Sequence, residues 1–336
     1  MMLAGVMILL PLAVMAAGGM ENATRVAATH AGGADFIFGP GRGADGRSFH
    51  TLGLALSFFF VWVFAGFGSP ASMVRVMACK DTPTIRRSIF LLAAYNSLIY
   101  IPLVVICICA RAVLPGLPVS DEVIPQMAVH VTREFWGGSF FAGLILAAPF
   151  GSVMATVSAY LVVIASGLVQ DIYHRFIDPH AHADRLRHVS YAAMAIIAAV
   201  GAVANIRPVE YLQAIVVFSG TGTAATFVAP ALMAAYWRRS TREGIIASML
   251  AGSGTILGLF AAGWILSGFY GYDPMIGVKS SFRPYFLLGL DPVVWGLLAS
   301  FVAGVVISLR TPASDPELVS KYFDAREASQ ASTNHA

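Results

Sequence analysis

Residues 51–72 read TLGLALSFFFVWVFAGFGSPAS, a stretch of 22 residues without a charged side chain. A helix needs about 20 mostly apolar residues to cross the hydrocarbon core of a bilayer, so this stretch predicts a membrane-spanning helix. Its second half contains Gly66, Gly68 and Pro70. Proline removes a backbone hydrogen bond and glycine lowers helix propensity, so we also expect the helix to be interrupted near its end.

Similar apolar runs occur along most of the chain and predict eight spans in all. We place them at about 1–17, 51–72, 88–113, 139–169, 189–205, 209–236, 244–268 and 291–309. The stretches between them are predicted to be loops, the longest at 18–50, 114–138, 170–188 and 269–290. We therefore expect an all-α, polytopic membrane protein. A transmembrane region over 1–310 precedes a polar cytoplasmic tail over 311–336.

The composition agrees with this expectation, because 57% of the residues are hydrophobic and only 12% are charged. A typical soluble domain is about 45–50% apolar and about 25% charged, so the chain has too few charges to cover a soluble surface. A net charge of +3 with scattered Lys and Arg does not indicate a nucleic-acid surface. These numbers argue against a soluble enzyme and against a nucleic-acid-binding protein.

The basic residues predict the orientation in the membrane. If the first span leaves the cytoplasm, the inward connections and the tail hold 13 of the 21 Lys and Arg residues. They are Arg75, Lys80, Arg86, Arg87, Arg175, Arg185, Arg187, Arg238, Arg239, Arg242, Arg310, Lys321 and Arg326. Cytoplasmic loops carry an excess of basic residues, so we expect both termini on the cytoplasmic side of the inner (plasma) membrane.

The interruption near Pro70 has two interpretations. Transporters use broken helices at membrane depth to bind substrates and ions, because the freed backbone groups can face a water-filled cavity. Alternatively, the glycines allow a simple kink or close packing against another helix. The same choice applies to the small residues from Phe218 to Thr226, which could line a gate but favour close packing between helices.

A group of residues in the fourth span suggests an ion site. Ser152, Ala155 and Thr156 occupy positions i, i+3 and i+4 and so share one helix face. A hydroxyl beside carbonyl groups freed by a broken helix would suit a small hard cation. The alternative is that Ser and Thr only donate to the carbonyl of residue i−4 in their own helix. No Asp, Glu, Lys or Arg lies deep in a predicted span, so an intramembrane carboxylate relay is not indicated.

At these stretches the chain resembles the sodium:solute symporter family. The matching residues are Phe67-Gly-Ser-Pro70 with Val74-Arg75 and Lys80-Asp81, then Asp121-Glu-Val-Ile-Pro125, then Ala148-Pro149 through Met154-Ala-Thr156 to Gln170-Asp-Ile-Tyr173. Their order and spacing resemble the family over most of residues 1–310. The Val-Ile-Pro segment and the Ala-Pro pair are most similar to its pantothenate-carrying branch.

The resemblance implies a five-plus-five inverted-repeat transporter fold, with binding at mid-membrane between the first helices of the two repeats. It aligns this chain from the last helix of the first repeat, through the whole second repeat, to two further helices. The first four core helices have no counterpart in the alignment. The expectation is therefore a partial inverted-repeat fold, for which a separate chain could supply the missing N-terminal helices.

The resemblance also implies roles for particular residues. Gly66, Phe67, Gly68 and Pro70 match the broken helix that contacts the substrate. Thr156 matches a hydroxyl of the sodium site, and Ser152 a position that contributes its main-chain carbonyl. Ala155 stands where the family usually has a second hydroxyl, so one sodium ligand is lost.

These expectations together predict sodium-coupled symport of a small organic solute, with pantothenate as the candidate. The expected partners are the solute, sodium and the lipid bilayer. Sodium is the coupling ion, and neither a further cofactor nor another metal is expected. Two alternatives stay open: a truncated or split-carrier fragment that is inactive alone, and a passive channel or membrane scaffold.

Overall fold

The computed structural model describes residues 2–30, 52–117, 120–133, 137–206, 212–270 and 284–324, without 318 and 322. Regular structure in these ranges is helical. The α-helices are α1 (Met2–Ala16), α2 (Met20–His30), α3 (Leu52–Gly68), α4 (Pro70–Met77), α5 (Thr82–Val113), α6 (Val123–Thr132), α7 (Gly138–Ser166), α8 (Ala183–Ala204), α9 (Leu212–Tyr236), α10 (Arg242–Tyr270) and α11 (Pro292–Arg310).

The described helices agree with the predicted spans. Six of them are long and apolar enough to cross a membrane: α5, α7 with its continuation to Ile177, α8, α9, α10 and α11. Two bent pairs raise the number to eight if each pair forms one span. Helices α1 and α2 meet at 75°, and α3 and α4 meet at 46°. The prediction of an all-α, polytopic membrane protein is confirmed.

The loop predictions were wrong in three places. Helix α2 lies within 18–50, α6 lies within 114–138, and 170–188 contains the end of a π-helix, Gly167–Ile177, and the beginning of α8. A search for spans of about 20 apolar residues overlooks short helices, although α6 buries Met127, Ala128 and Val131 on one side. Residues 31–50 and 271–283 of the predicted loops lie outside the described residues.

The chain divides into two compact units, and each is described by itself. The first comprises residues 1–48 and 75–208 and so contains α1, α2 and α5 to α8. Its core forms where α1 packs against α5, α6 and α7. Buried side chains from these four helices meet there, including Leu9, Ile106, Met127 and Ile145.

Helix α5 begins in the Lys80-Asp81 motif that contributed to the family resemblance. The backbone N–H of Thr84 donates to Oδ1 of Asp81 at 2.8 Å, and Pro83 follows directly in the first turn. Hydrogen bonds from the side chain and the backbone of Thr84 lower the pKa of the Asp81 carboxyl. Asp81 is therefore the N-cap of α5.

The second unit comprises residues 49–74 and 209–336. Helix α9 packs against α3, α10 and α11, and α10 and α11 also pack against each other. Val61, Ala224, Val228 and Val293 form one buried cluster. Small residues bring the helices together: a Cβ atom on Gly252 would overlap the carbonyl oxygen of Ala225.

Candidate solute- and ion-binding residues

The predicted interruption lies at Ser69, between the end of α3 at Gly68 and the beginning of α4 at Pro70. The helix axis turns by 46° there. The Ser69 carbonyl accepts hydrogen bonds from the N–H groups of Ser72 and Met73, both at 3.0 Å, and so begins α4. Pro70 has no N–H, so the carbonyl of Gly66 loses its donor four residues ahead. The predicted interruption is therefore confirmed.

The two glycines before the interruption have different surroundings. A Cβ atom on Gly68 would lie 2.8 Å from the carbonyl oxygen of Thr223 and 3.0 Å from Cα of Ala224. Gly68 therefore allows α3 to approach α9 closely. A Cβ atom on Gly66 would meet no atom within 4 Å, and Phe67 is 51% exposed. Pro70 is half-buried. Close packing is therefore confirmed at Gly68, and the binding role of this segment stays a prediction.

The small residues from Phe218 to Thr226 lie on α9 and serve mainly to pack it. A Cβ atom on Gly220 would lie 3.1 Å from Cβ of Ala65, which places α3 directly against α9. The prediction of close packing is confirmed. Other residues of the segment line a groove of about 290 Å³ between α9 and α10. Its polar lining consists of Ser219, Thr223, Thr226 and Ser253.

The predicted ion-binding residues lie together on α7. Oγ1 of Thr156 donates a hydrogen bond to the main-chain carbonyl of Ser152 at 3.0 Å. This is the local bond that the sequence analysis gave as the alternative to ion binding. The bond uses the only hydrogen of the hydroxyl, but two lone pairs remain on its oxygen. It also brings two candidate ligand oxygens together on one helix face.

The neighbouring side chains complete this face. Thr156 and Ala155 are exposed and Ser152 is half-buried. Ala155 has no side-chain oxygen, so the face offers the Thr156 hydroxyl and the Ser152 carbonyl. Ser158 donates to the carbonyl of Met154 at 2.8 Å and, two residues from Thr156, lies away from this face. Ser152, Ala155 and Thr156 belong to the first unit, whereas Gly66, Phe67, Gly68 and Pro70 belong to the second.

Sequence reasoning missed Asp291, which is fully buried at the beginning of α11. Its Oδ1 accepts a hydrogen bond from the N–H of Val293 at 2.9 Å, and its own N–H donates to Oγ of Ser57 at 3.1 Å. An Asp-Pro pair before an apolar run is a helix-start signal, and this signal could have identified the N-cap. Its burial depends on residues far away in the chain, which the signal does not reveal.

Comparison with known proteins gives a match to a family model. The model described as the sodium:solute symporter family matches residues 1–252. This range contains all seven predicted site residues, from Gly66 to Thr156.

Individual relatives agree with this match. The chain is 30% identical over 223 residues to the sodium/pantothenate symporter of Haemophilus influenzae, covering 66% of this chain and 45% of that protein. It is 28% identical over 258 residues to the sodium/pantothenate symporter of Escherichia coli, covering 75% and 50%. It is 26% identical over 207 residues to the sodium/proline symporter of Escherichia coli, covering 61% and 41%. The chain thus spans about half the length of these relatives.

Proposed function

Because the chain belongs to the sodium:solute symporter family, we propose that it functions in sodium-coupled uptake of a small organic solute. The observation that carries this proposal is the family match over residues 1–252, which covers both sets of site residues. Pantothenate is the candidate solute, since two of the relatives are named sodium/pantothenate symporters. No covalent bond is made or broken in this activity.

The proposed sodium ligands are the Thr156 hydroxyl and the Ser152 carbonyl. Their oxygens are 3.0 Å apart, and protein oxygens of this kind can replace the water molecules around a small cation. The Thr156 hydroxyl can keep its hydrogen bond while a lone pair contacts the ion. Ala155 contributes no oxygen, so the remaining ligands would be water or other carbonyl groups.

The proposed solute contacts lie at the interruption between α3 and α4. The Gly66 carbonyl has lost its helical donor and can accept a hydrogen bond from the solute. The exposed Phe67 ring offers an apolar surface beside it. Gly68 keeps α3 close to α9 and so fixes the position of these two residues.

Transport would follow from alternating access. Sodium binding favours one conformation, the solute binds to that conformation, and a rigid-body movement then exposes both to the other side. The basic residues support a plasma-membrane protein with both termini in the cytoplasm. The entry of sodium down its inward gradient provides the free energy for solute uptake.

Uptake of labelled pantothenate into proteoliposomes tests the proposal. We expect uptake to require an inward sodium gradient, to lose its sodium dependence in Thr156→Ala, and to keep it in Ser158→Ala. The Ser158 variant is a matched control, because it removes a similar local hydrogen bond away from the ion-binding face. Wild-type uptake without sodium, or sodium-dependent uptake in Thr156→Ala equal to that of the wild type, would reject the ion assignment.

Two further versions of the uptake assay test whether the chain is part of a split carrier or a passive channel. The chain spans about half the length of its relatives, so the assay is run with this chain alone and with any upstream-encoded product added. Activity only in the second sample would identify a split carrier. Counterflow of labelled solute against unlabelled solute distinguishes a carrier from a passive channel, because a channel does not couple the two fluxes.

A further inference from the structure

The second unit contains an isolated carboxyl group where α3, α9 and α11 meet. Asp291 is 0% exposed, and so is Thr221 of α9, while Ser57 of α3 is 1% exposed. The Ser57 hydroxyl accepts from the Asp291 N–H at 3.1 Å and donates to the carbonyl of Gly53 at 2.7 Å. Three helices therefore enclose this carboxyl.

One oxygen of this carboxyl lacks a hydrogen bond. Oδ1 of Asp291 accepts from the N–H of Val293. Oδ2 of Asp291 and Oγ1 of Thr221 are both buried, and neither has a hydrogen-bond partner in the part of the chain that the structure describes. The Thr221 hydroxyl nevertheless faces the carboxyl closely enough to influence its ionisation. Leaving such polar atoms unpaired destabilises the folded protein.

No described charge on the surrounding elements compensates the carboxylate. The described part of α3 carries no ionisable side chain. The ionisable residues of α9 and α11 are Tyr236 and Arg310, and each lies at the opposite end of its helix. The described ionisable side chains of α10 are Arg242 and Glu243, which lie at the beginning of that helix. Tyr285 lies in the segment that precedes α11. A buried carboxylate without a cation is unfavourable.

We propose that Asp291 and Thr221 form a proton-binding site. A proton on Oδ2 of Asp291 removes the charge from a buried carboxyl that no described cation compensates, while the Thr221 hydroxyl favours the ionised form. Release of the proton to water leaves the carboxylate buried. The site uses none of the residues proposed for sodium and solute, and it does not depend on the proposed function.

The ionisation equilibrium supports this assignment. Burial raises the pKa of Asp291 to about 6, against smaller lowering contributions from the Val293 N–H and the Thr221 hydroxyl. The folded protein therefore binds the proton more tightly than the unfolded chain, in which the carboxyl has its ordinary pKa of 3.8. The stabilisation that the protonated carboxyl gives the folded protein is complete below pH 3.8 and is lost as the pH rises through about 6.

Infrared titration of the full chain in lipid nanodiscs tests the proposal. The probe is the proton itself, read as the carbonyl band of a protonated carboxylic acid as the pH changes. We expect a band that disappears with a midpoint near pH 6 and is absent from Asp291→Asn. Asp184→Asn is the control, because the Asp184 side chain is 85% exposed and should leave this band unchanged.

Two Thr221 variants separate proton binding from simple packing. Thr221→Val removes the hydroxyl that favours the ionised form and should move the midpoint upward. Thr221→Ser retains the hydroxyl and should leave the midpoint near that of the wild type. Equal midpoints in Thr221→Val and Thr221→Ser would overturn the pairing of Asp291 with Thr221.

Thermal unfolding provides a second readout. The wild type should unfold at a higher temperature at pH 5 than at pH 7.5, because the carboxyl near pKa 6 is mostly protonated at the lower value. Asp291→Asn keeps the N-cap acceptor and resembles the protonated acid, so it should lose this pH difference. A pH difference that survives in Asp291→Asn would refute the site.

The infrared experiment also tests whether the ligand is a proton. Loss of the carbonyl band on adding sodium chloride at constant pH would identify a sodium site and overturn the proton assignment.

Discussion

The hydroxyl groups of Thr156 and Ser158 in α7 differ from those of a buried serine pair in the second unit. In α7, the Thr156 and Ser158 hydroxyls bond to carbonyl groups of their own helix and lie in exposed positions. In the second unit, Oγ of Ser248 lies 2.9 Å from Oγ of Ser300, and the pair joins α10 to α11 in a buried position. Hydroxyl groups thus join two helices at Ser248 and Ser300, whereas those of Thr156 and Ser158 bond within α7 and stay exposed.

Glycine positions explain the difference. A Cβ atom on Gly244 would overlap Oγ of Ser308, and one on Gly304 would lie 2.6 Å from Sδ of Met233. The helices of the second unit are therefore close enough for hydroxyls to bond across them. A Cβ atom on Gly151 of α7 would meet no atom within 4 Å. No neighbouring helix approaches closely at that position within the described residues.

The largest expected effect tests this packing. In Gly252→Ala the new Cβ would overlap the carbonyl oxygen of Ala225, and a backbone atom cannot move aside as a side chain can. We expect a loss of stability of about 3 kcal/mol or more, measured as a lower unfolding temperature in detergent. Gly254→Ala is the matched control on the same helix, because its Cβ would meet nothing within 4 Å.

The control should change stability in the opposite direction. Alanine has a higher helix propensity than glycine, so Gly254→Ala should raise stability by at most about 1 kcal/mol. Equal unfolding temperatures for the two variants would show that α10 does not approach α9 as closely as described. The contrast between the two regions would then lose its physical basis.

A smaller effect is expected for the hydroxyl pair itself. Oγ of Ser300 donates to the carbonyl of Ser248 at 3.0 Å, so the Ser248 hydroxyl is the donor to Ser300. Ser300→Ala removes both bonds and leaves the buried Ser248 hydroxyl unpaired, at a cost of about 1–2 kcal/mol. Ser248→Ala leaves the Ser300 bond to the carbonyl intact and should cost less than about 1 kcal/mol.

The same unfolding measurement checks this ranking. Ser253→Ala serves as the control, since the Ser253 hydroxyl bonds only within α10, to Met249 at 2.8 Å and Leu250 at 3.3 Å. We expect Ser253→Ala to leave the unfolding temperature close to that of the wild type. If Ser248→Ala were the more damaging of the two paired variants, the donor assignment would be reversed.

The contrast also shows what could be predicted from the sequence. Apolar run length identified the eight regions that form spans or bent pairs, and Pro70 with its neighbouring glycines identified the interruption in α3. Both signals are local, because helix length and backbone hydrogen bonding depend on nearby residues. The i, i+4 spacing also placed Ser152 and Thr156 on one face, as their hydrogen bond shows.

Features that depend on distant contacts were not predictable in the same way. Gly66 and Gly68 are two residues apart, but only Gly68 contacts α9, and the difference follows from residues 223 and 224. The backbone N–H of Asp291 donates to Ser57, which lies 234 positions earlier in the chain. Helix α6 was missed because its ten residues are too few to span a membrane. In each case the deciding information lies in another element or outside the pattern that was searched.

The smallest expected effect concerns Thr156. Its hydrogen bond to the Ser152 carbonyl is local and exposed, and such bonds by Thr within a helix add little or slightly destabilise it. Alanine is also the better helix former. Thr156→Ala should therefore change stability by no more than about 0.5 kcal/mol, with an unfolding temperature close to that of the wild type. This result would show that the fold does not require the Thr156 hydroxyl, so that any loss of sodium dependence in the same variant reflects a missing ligand. A large fall in unfolding temperature would instead place Thr156 with Ser300, as a residue whose oxygen is needed for packing.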